Sequence, residues 1–161
     1  MPQFWEYRSL SDHPDLLAVA KSRYRAVDGF AGLRAFETTK MVFGVKRRIV
    51  VTHSQNLHDK QSQGFDQTLA KAQRQAAELG ARLARGKTRK PRDGVEAEIA
   101  AILKARWLSR VITTTLIGES PAELRLSSAT DGAARAALEA ELFGKRILFT
   151  GNPFTTLPRS A

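Results

Sequence analysis

The residues best suited to chemistry in this chain are six cations close together in the segment 82–92. They are Arg82, Arg85, Lys87, Arg89, Lys90 and Arg92, and no acidic residue lies among them. Closely spaced Arg and Lys side chains can neutralise several phosphates of a nucleic acid and release its counterions. A solvated loop, whose charges only keep it in water, is the alternative. We predict DNA contact here without base readout, which needs an element placed in a groove.

Three side chains that can bind metal ions lie near a predicted strand-to-helix junction. They are His53, His58 and Asp59. The two histidines are five residues apart across the predicted break, which is poor spacing for two ligands of one metal ion. Ordinary surface or capping histidines explain the pattern better. The sequence therefore predicts no metal site and no metal cofactor of its own.

The remaining carboxylates in this part of the chain suit capping or solvent-facing positions better than catalysis. They are Asp66, Glu96 and Glu98. No nucleophile, base and orienting group occur together in a recognisable pattern, so a free-standing hydrolase is the least favoured function. We predict no catalytic residue.

The composition is that of a globular protein with a strong positive charge. The chain has 161 residues, of which 42% are hydrophobic and 26% charged, and its formal net charge is +10. Such an excess favours polyanionic partners, nucleic acid before an anionic membrane. The chain has no cysteine, which excludes disulfides and thiolate metal sites.

Targeting signals are not apparent in the sequence. The start, "MPQFWEYRSL", has no basic segment followed by an apolar run, and no stretch approaches the roughly 18 to 20 apolar residues that cross a bilayer. We therefore expect a cytoplasmic protein without a membrane partner. The sequence leaves the oligomeric state open.

The elements that must position the basic segment begin with a β-hairpin. The run from Ala35 to Ser54 is rich in Val, Ile, Phe and Thr and is interrupted by Gly44. Residues 1–34 lack a clear periodicity and stay unassigned. A helix from Leu57 to Arg85 should follow, capped by Ser54 or Asn56.

An apolar seam marks this long helix. Its members recur at alternating steps of four and three and are Phe65, Leu69, Ala72, Ala76, Leu79 and Leu83. Spacing of this kind keeps one stripe of side chains on one face of a helix. The seam is short and contains two alanines, so we interpret it as a contact within the chain rather than a dimeric coiled coil.

A second helix is predicted to fold back on the first. Gly86 should end the long helix, Pro91 should prevent its continuation, and Asp93 with Glu96 has the form of a capping box. The apolar stripe of the second helix is Val95, Ile99, Ile102 and Leu103. The prediction is an antiparallel helical hairpin over residues 57–106, with the cations at its tip.

Beyond Trp107 the pattern changes to a second β-hairpin, with strands in "RVITTTLIG" and "ELRLSSA". Thr130 is a candidate cap for an Ala-rich helix that ends at Gly144, and "KRILFT" is a terminal strand. The predicted fold class is α+β. The predicted organisation is an unassigned segment 1–34, a central region 35–150 and a tail 151–161.

Several segments resemble one known family when taken in order. "FETT", "KRRIVVTHSQNLHDKQSQGFDQTLAKA", "RWLSRVITTTLIGESPAELRLS" and "ELFGKRILFT" are similar to the middle of bacterial insertion-sequence transposases of the DDE class. The resemblance covers roughly Phe36 to Thr150. It implies part of an RNase H-like core with an inserted region.

The resemblance also implies what chemistry to expect. Family members hold Mg²⁺ with two Asp and one Glu, and the metal ions activate the attacking oxygen at a scissile phosphate. The two Asp precede the matching region, and the Glu follows it on a helix with a Tyr, Arg, Glu and Lys pattern. No residue of this chain takes a catalytic role by position, and Gly151 to Ala161 departs from the family pattern.

Two functions from different classes follow from the sequence. The first is a transposase fragment, shortened by a frameshift or a stop, that is inactive alone and keeps non-specific DNA binding. The second is a small basic protein that binds DNA or RNA without catalysis. A Tyr, Arg, Glu and Lys helix encoded in another frame of the flanking DNA would favour the first.

Overall fold

The computed structural model describes residues 6–7, 12–42 and 44–149 and has a mixed α+β fold, as predicted. The chain divides into two units, residues 1–62 with 139–161 and residues 63–138. The predicted tail 151–161 lies outside the described residues. No helix of the described part is both long and apolar enough to cross a membrane.

An antiparallel sheet forms the centre of the first unit. Its strands are β1 (Glu6–Tyr7), β2 (Arg25–Ala26), β3 (Leu33–Val42), β4 (Val45–Ser54) and β7 (Lys145–Phe149). Their order across the sheet is β1-β7-β4-β3-β2. The terminal strand β7 therefore lies inside the sheet, between β1 and β4.

The first predicted β-hairpin is confirmed. β3 and β4 pair from Leu33 with Ser54 to Val42 with Val45. Gly44, in the turn, has a φ of +74°. This left-handed backbone conformation is free of strain only in a residue that has no Cβ. The hairpin begins two residues before the predicted start because Leu33 and Arg34 already pair across the sheet.

One face of this sheet is the core of the first unit. Its buried side chains are Phe36, Val42, Ile49, Val51, Ile147 and Phe149, packed with Leu16 and Tyr24. Leu16 belongs to the short helix α1 (Pro14–Leu17), in the segment that the sequence left unassigned. The ring of Tyr24 meets Phe36 edge-on, with centroids 4.8 Å apart.

The long helix α2 spans Gln55–Ala84, close to its predicted bounds. The backbone N–H of Leu57 donates to Ser54 Oγ over 3.3 Å, so Ser54 is the cap. All six members of the predicted seam are buried. Gly86 follows the helix with a φ of +66°, and its N–H donates to the carbonyl of Leu83, which closes the helix end.

The second helix is shorter than predicted. α3 spans Arg92–Ile102, and the residue before it, Pro91, has no side-chain cap. The predicted capping box does not form, because Asp93 lies inside the first turn and accepts a hydrogen bond from the N–H of Gly94. An acidic side chain at that position still favours the helix dipole.

A two-stranded sheet completes the second unit. It consists of β5 (Ile112–Ile117), which follows the short α4 (Leu108–Val111), and β6 (Arg125–Thr130). The last helix, α5, spans Gly132–Leu142. Its cap is Asp131, whose Oδ1 accepts from the N–H of Ala134, so the prediction of Thr130 was wrong. Thr130 instead accepts from Gln73 of α2 over 2.8 Å.

The seam of α2 packs on strands as well as on the second helix. The buried cluster of this unit is Leu79, Leu83, Val95 and Leu124, with Ile99, Ile102, Leu116 and Leu126 packed against it. Val95, Ile99 and Ile102 lie where the predicted helical hairpin requires them. The sequence did not predict that the β5–β6 hairpin would contribute Leu116, Leu124 and Leu126.

Candidate nucleic-acid interface

The basic segment is held between two helix ends. Residues 85–91, which we call the connector loop, join α2 to α3. Gly86 ends α2 by its left-handed backbone, and Pro91 stands immediately before α3. The loop therefore starts and finishes at defined positions, although it has no regular structure between them.

Two of the six predicted binding residues share a carboxylate. Arg82 Nη2 donates to Oε1 of Glu98, and Lys90 Nζ donates to Oε2 of the same side chain over 3.0 Å. The hydrogen bonds from Arg82 and Lys90 lower the pKa of Glu98, so this carboxylate stays charged near neutral pH. The positive charge of Arg82 and Lys90 is thus partly compensated within the protein.

Arg92 is committed to the backbone of the β5–β6 hairpin. Its Nη1 donates to the carbonyl of Gly118 over 2.6 Å, and its Nη2 donates to that of Leu116 over 3.0 Å. Its Nε also donates to Glu96 over 2.9 Å. With three donors in use, Arg92 serves the fold of this unit more than a ligand.

The other three predicted binding residues are available. Arg85, Lys87 and Arg89 are exposed. Within the part of the chain that the structure describes, none of the three has a hydrogen-bonding or ion-pair partner. The prediction of six binding residues therefore separates into three available cations, two that share Glu98 and one that supports the fold.

An open cavity of about 330 Å³ lies beside the connector loop. Its lining consists of Leu79, Leu83 and Val95, the side chains of Thr88 and Glu98, and five of the six predicted cations, Arg82, Arg85, Lys87, Arg89 and Lys90. Apolar side chains and aliphatic stems thus form the wall, and charged groups surround it. Such a site attracts an anion and leaves it partly in water.

A second cluster of ionisable groups lies in the first unit, at the junction of β4 and α2. His58 Nε2 lies 2.8 Å from Glu139 Oε1, and its Nδ1 lies 3.3 Å from both His53 Nε2 and the carbonyl oxygen of Phe143. Asp59 is not part of this cluster and accepts from Gln55 instead. No group of three or more His, Asp or Glu side chains that could hold a metal ion occurs among the described residues.

The charges around this junction are mostly positive. Burial lowers the pKa of His53, and the electrostatic influence of neighbouring basic groups, His58, Lys145, Lys21 and Arg34, lowers it further. Lys145 is 7% exposed and donates to the carbonyl of Leu17, and burial lowers the pKa of its ammonium group as well. Glu139 reaches His58 from 81 residues away, so no local pattern in the sequence pointed to it.

Models of protein families, curated proteins and solved structures were compared with the chain, and none of them matches it.

Proposed function

We propose that this chain is a nucleic-acid-binding protein related to insertion-sequence transposases of the DDE class. Its connector loop contacts the sugar-phosphate backbone without reading bases. The observation that carries the proposal is the set of three exposed cations, Arg85, Lys87 and Arg89, which have no partner among the described residues and lie beside an open cavity. Phosphate oxygens are the natural partners for such a set.

The charge of the whole chain supports this function. A net charge of +10 attracts a polyanion over a distance and raises the rate of encounter. The connector loop then supplies contacts at short range. Because flexible Arg and Lys side chains on a loop bind phosphates rather than base edges, the affinity is indifferent to sequence.

The kinship with transposases rests on the order and continuity of the segments that resemble the family, from Phe36 to Thr150. A partial RNase H-like core belongs to the same proposal. Binding by the connector loop does not require the kinship, because it depends only on charge and exposure. A small basic binding protein without catalysis is therefore the alternative, and the coding capacity of the flanking DNA distinguishes the two.

A salt titration tests the function. The affinity for a duplex is measured between low and moderate salt for the wild type and for a variant with Arg85→Gln, Lys87→Gln and Arg89→Gln. Each phosphate contact contributes about 0.9 to the slope of log affinity against log salt, so the slope should fall by up to about three. A variant with Lys71→Gln, Arg74→Gln and Lys104→Gln, three other exposed cations of the same unit, is the charge-matched control.

The two variants separate local contact from general charge. A smaller slope in the connector-loop variant alone supports the proposal. Equal losses in both variants would show that only the net charge matters, and an unchanged slope would show that the loop does not touch phosphate.

A further inference from the structure

The sheet of the first unit has a second face, opposite its core. Antiparallel strands place directly paired residues on the same face, and successive residues on opposite faces. Since Phe36, Ile49 and Val51 point into the core, the alternate residues of β3 and β4 point away from it. We call this the outer face, and it carries Arg25, Ala35, Glu37, Thr39, Met41, Lys46, Arg48, Val50, Thr52, Arg146 and Leu148.

The outer face is cationic. Arg25, Lys46 and Arg146 are exposed, and they have no ion-pair or hydrogen-bonding partner among the described residues. Arg48 forms an ion pair with Glu37, with its Nη2 2.6 Å from Oε1 and 2.7 Å from Oε2. Glu37 is the only acid among the outer-face residues just named, so the face retains an excess of three positive charges.

The positions of these cations follow from the strand register. Arg25, Ala35, Thr52 and Arg146 form one row across four strands. With strands about 4.8 Å apart, this row places the two arginines about 14 Å from each other. Lys46 lies six residues before Thr52 on β4, which is about 20 Å along the strand. These three cations, which have no partner in the part of the chain that the structure describes, therefore lie at the margins of an area of about 14 by 20 Å.

Apolar and small side chains lie inside that area. Val50 and Leu148 are paired across the middle of the face, and Val50 is buried while Leu148 is half-buried. Met41, paired with Lys46, is 61% exposed. Thr39 and Thr52 add hydroxyl groups. The surface thus combines positive charge at the margin with apolar side chains and the Glu37–Arg48 ion pair in the middle.

We propose that the outer face binds a single-stranded nucleic acid, with its phosphates at Arg25, Lys46 and Arg146. This inference rests on the proposed function and adds a second surface and a preferred form of the ligand. A single strand can lie across a flat sheet and turn its bases toward Met41 and Leu148, whereas the bases of a duplex are stacked inside. Single-strand-binding surfaces combine a charged path for the backbone with aromatic side chains on which bases stack. Here Met41 and Leu148 would offer apolar contact to the bases in place of aromatic rings. The area suits a short strand of about four nucleotides, at the lower end of known site sizes.

The test uses the full chain and a labelled oligothymidine, with a duplex as the second ligand. The outer-face variant carries Arg25→Gln, Lys46→Gln and Arg146→Gln. We expect its salt slope for the single strand to fall by up to about two, since each phosphate contact to a single strand contributes about 0.7. The loss for the duplex should be smaller. The connector-loop variant and the charge-matched control described above are titrated beside it.

A second measurement does not depend on charge. A photo-crosslinking residue in place of Thr39, on the outer face, should crosslink to the oligothymidine, and the same residue in place of Thr113 of β5 should not. Both positions are exposed threonines of a strand. The crosslink also shows contact if the triple variant proves unstable.

The outcomes distinguish this inference from the proposed function. A reduced slope in the connector-loop variant only, without a crosslink at Thr39, overturns the inference that the outer face binds a single strand. The proposed function of the connector loop is then retained. A reduced slope in the outer-face variant only, with the crosslink at Thr39, supports binding by the outer face and contradicts phosphate contact by the connector loop. Equal losses in all three variants, a preference of the outer face for the duplex, or binding to anionic lipid vesicles in place of the oligothymidine would overturn the inference.

Discussion

His53 and His58 face each other through ring nitrogens 3.3 Å apart, Nε2 of the first and Nδ1 of the second. One hydrogen bond can join these two atoms if one ring donates and the other accepts. Protonation of both rings would set two N–H groups against each other. A positive charge on His53 is therefore unfavourable in this environment, and the pKa of His53 is lowered.

Stability should fall on acidification because His53 takes up a proton less readily in the folded protein than in the unfolded chain. Burial first, and then neighbouring cations, lowers the pKa of His53 below its ordinary value of about 6.5 in the folded protein. The charged groups that face the pair are Lys145 of β7, Arg34 of β3, Lys21 of the 3₁₀ turn Lys21–Arg23 and, at His58, Glu139 of α5. As pH falls through 6.5, the unfolded chain binds the proton before the folded one does. This contribution to stability is complete above 6.5 and is lost as pH falls toward the lower folded pKa.

Urea unfolding at a series of pH values between 8 and 5 checks this sign. The free energy of unfolding of the wild type should decrease with acidification, and in His53→Gln the decrease should be smaller. His13→Gln, which changes a histidine outside the pair, serves as the control. An identical pH dependence in His53→Gln and in the wild type would contradict the prediction.

Leu79→Ala should destabilise the protein by about 2 to 4 kcal/mol, since it opens a cavity in a packed cluster. Leu79 is 2% exposed and packs with Leu83, Val95 and Leu124. Glu78→Ala, at the exposed neighbouring position, should change stability by less than about 0.5 kcal/mol. Chemical denaturation measures both. A loss below about 0.5 kcal/mol for Leu79→Ala would show that the seam is not packed as described.

Arg92→Gln should weaken the fold without changing the salt slope for nucleic acid. The substitution removes the charged donors that serve the carbonyl groups of Leu116 and Gly118, which is expected to cost about 1 to 3 kcal/mol. Arg89→Gln should show the opposite behaviour, with unchanged stability and a lower salt slope. A lower salt slope in Arg92→Gln together with an unchanged salt slope in Arg89→Gln would contradict this assignment and make Arg92 the phosphate contact.

Gly144→Ala should destabilise the first unit by more than about 1 kcal/mol. Gly144 has a φ of +79°, and a Cβ there would lie 2.7 Å from the carbonyl oxygen of Ser54 and 2.9 Å from Cβ of His58. Both the left-handed backbone and the close approach oppose a side chain. Among the described residues nothing lies within 4 Å of a Cβ added at Gly132, so Gly132→Ala is the matched control and should be close to neutral. Thermal unfolding of the two variants compares them.

Local pattern was sufficient for the elements with a clear period. The six-residue seam predicted α2, and the β-rich runs on either side of Gly44 predicted the β3–β4 hairpin. The contacts of Glu139 with His58 and of Arg92 with Gly118 could not be predicted, because they join residues far apart in sequence. The outer-face cations could not be predicted for the same reason. They lie singly on three strands, and only the strand register brings them to one face.

The capping prediction failed for a different physical reason. Thr130 and Asp131 are adjacent residues that can both serve as a helix cap. Thr130 belongs to the end of β6, and its hydroxyl is already bonded to Gln73. The helix therefore begins one residue later, at a boundary that depends on tertiary contacts.

The carboxylate of Glu98 has a consequence for the energetics of the connector loop. It bonds Arg82 at the end of α2 and Lys90 just before α3, so one side chain ties the two ends of the loop together. All three side chains are partly exposed, and the direct contribution of these ion pairs to stability is therefore small. The tie instead narrows the range of loop conformations before any ligand arrives. Part of the conformational entropy that binding would otherwise consume is already lost on folding, and the cations between the two ends are preorganised for an anion.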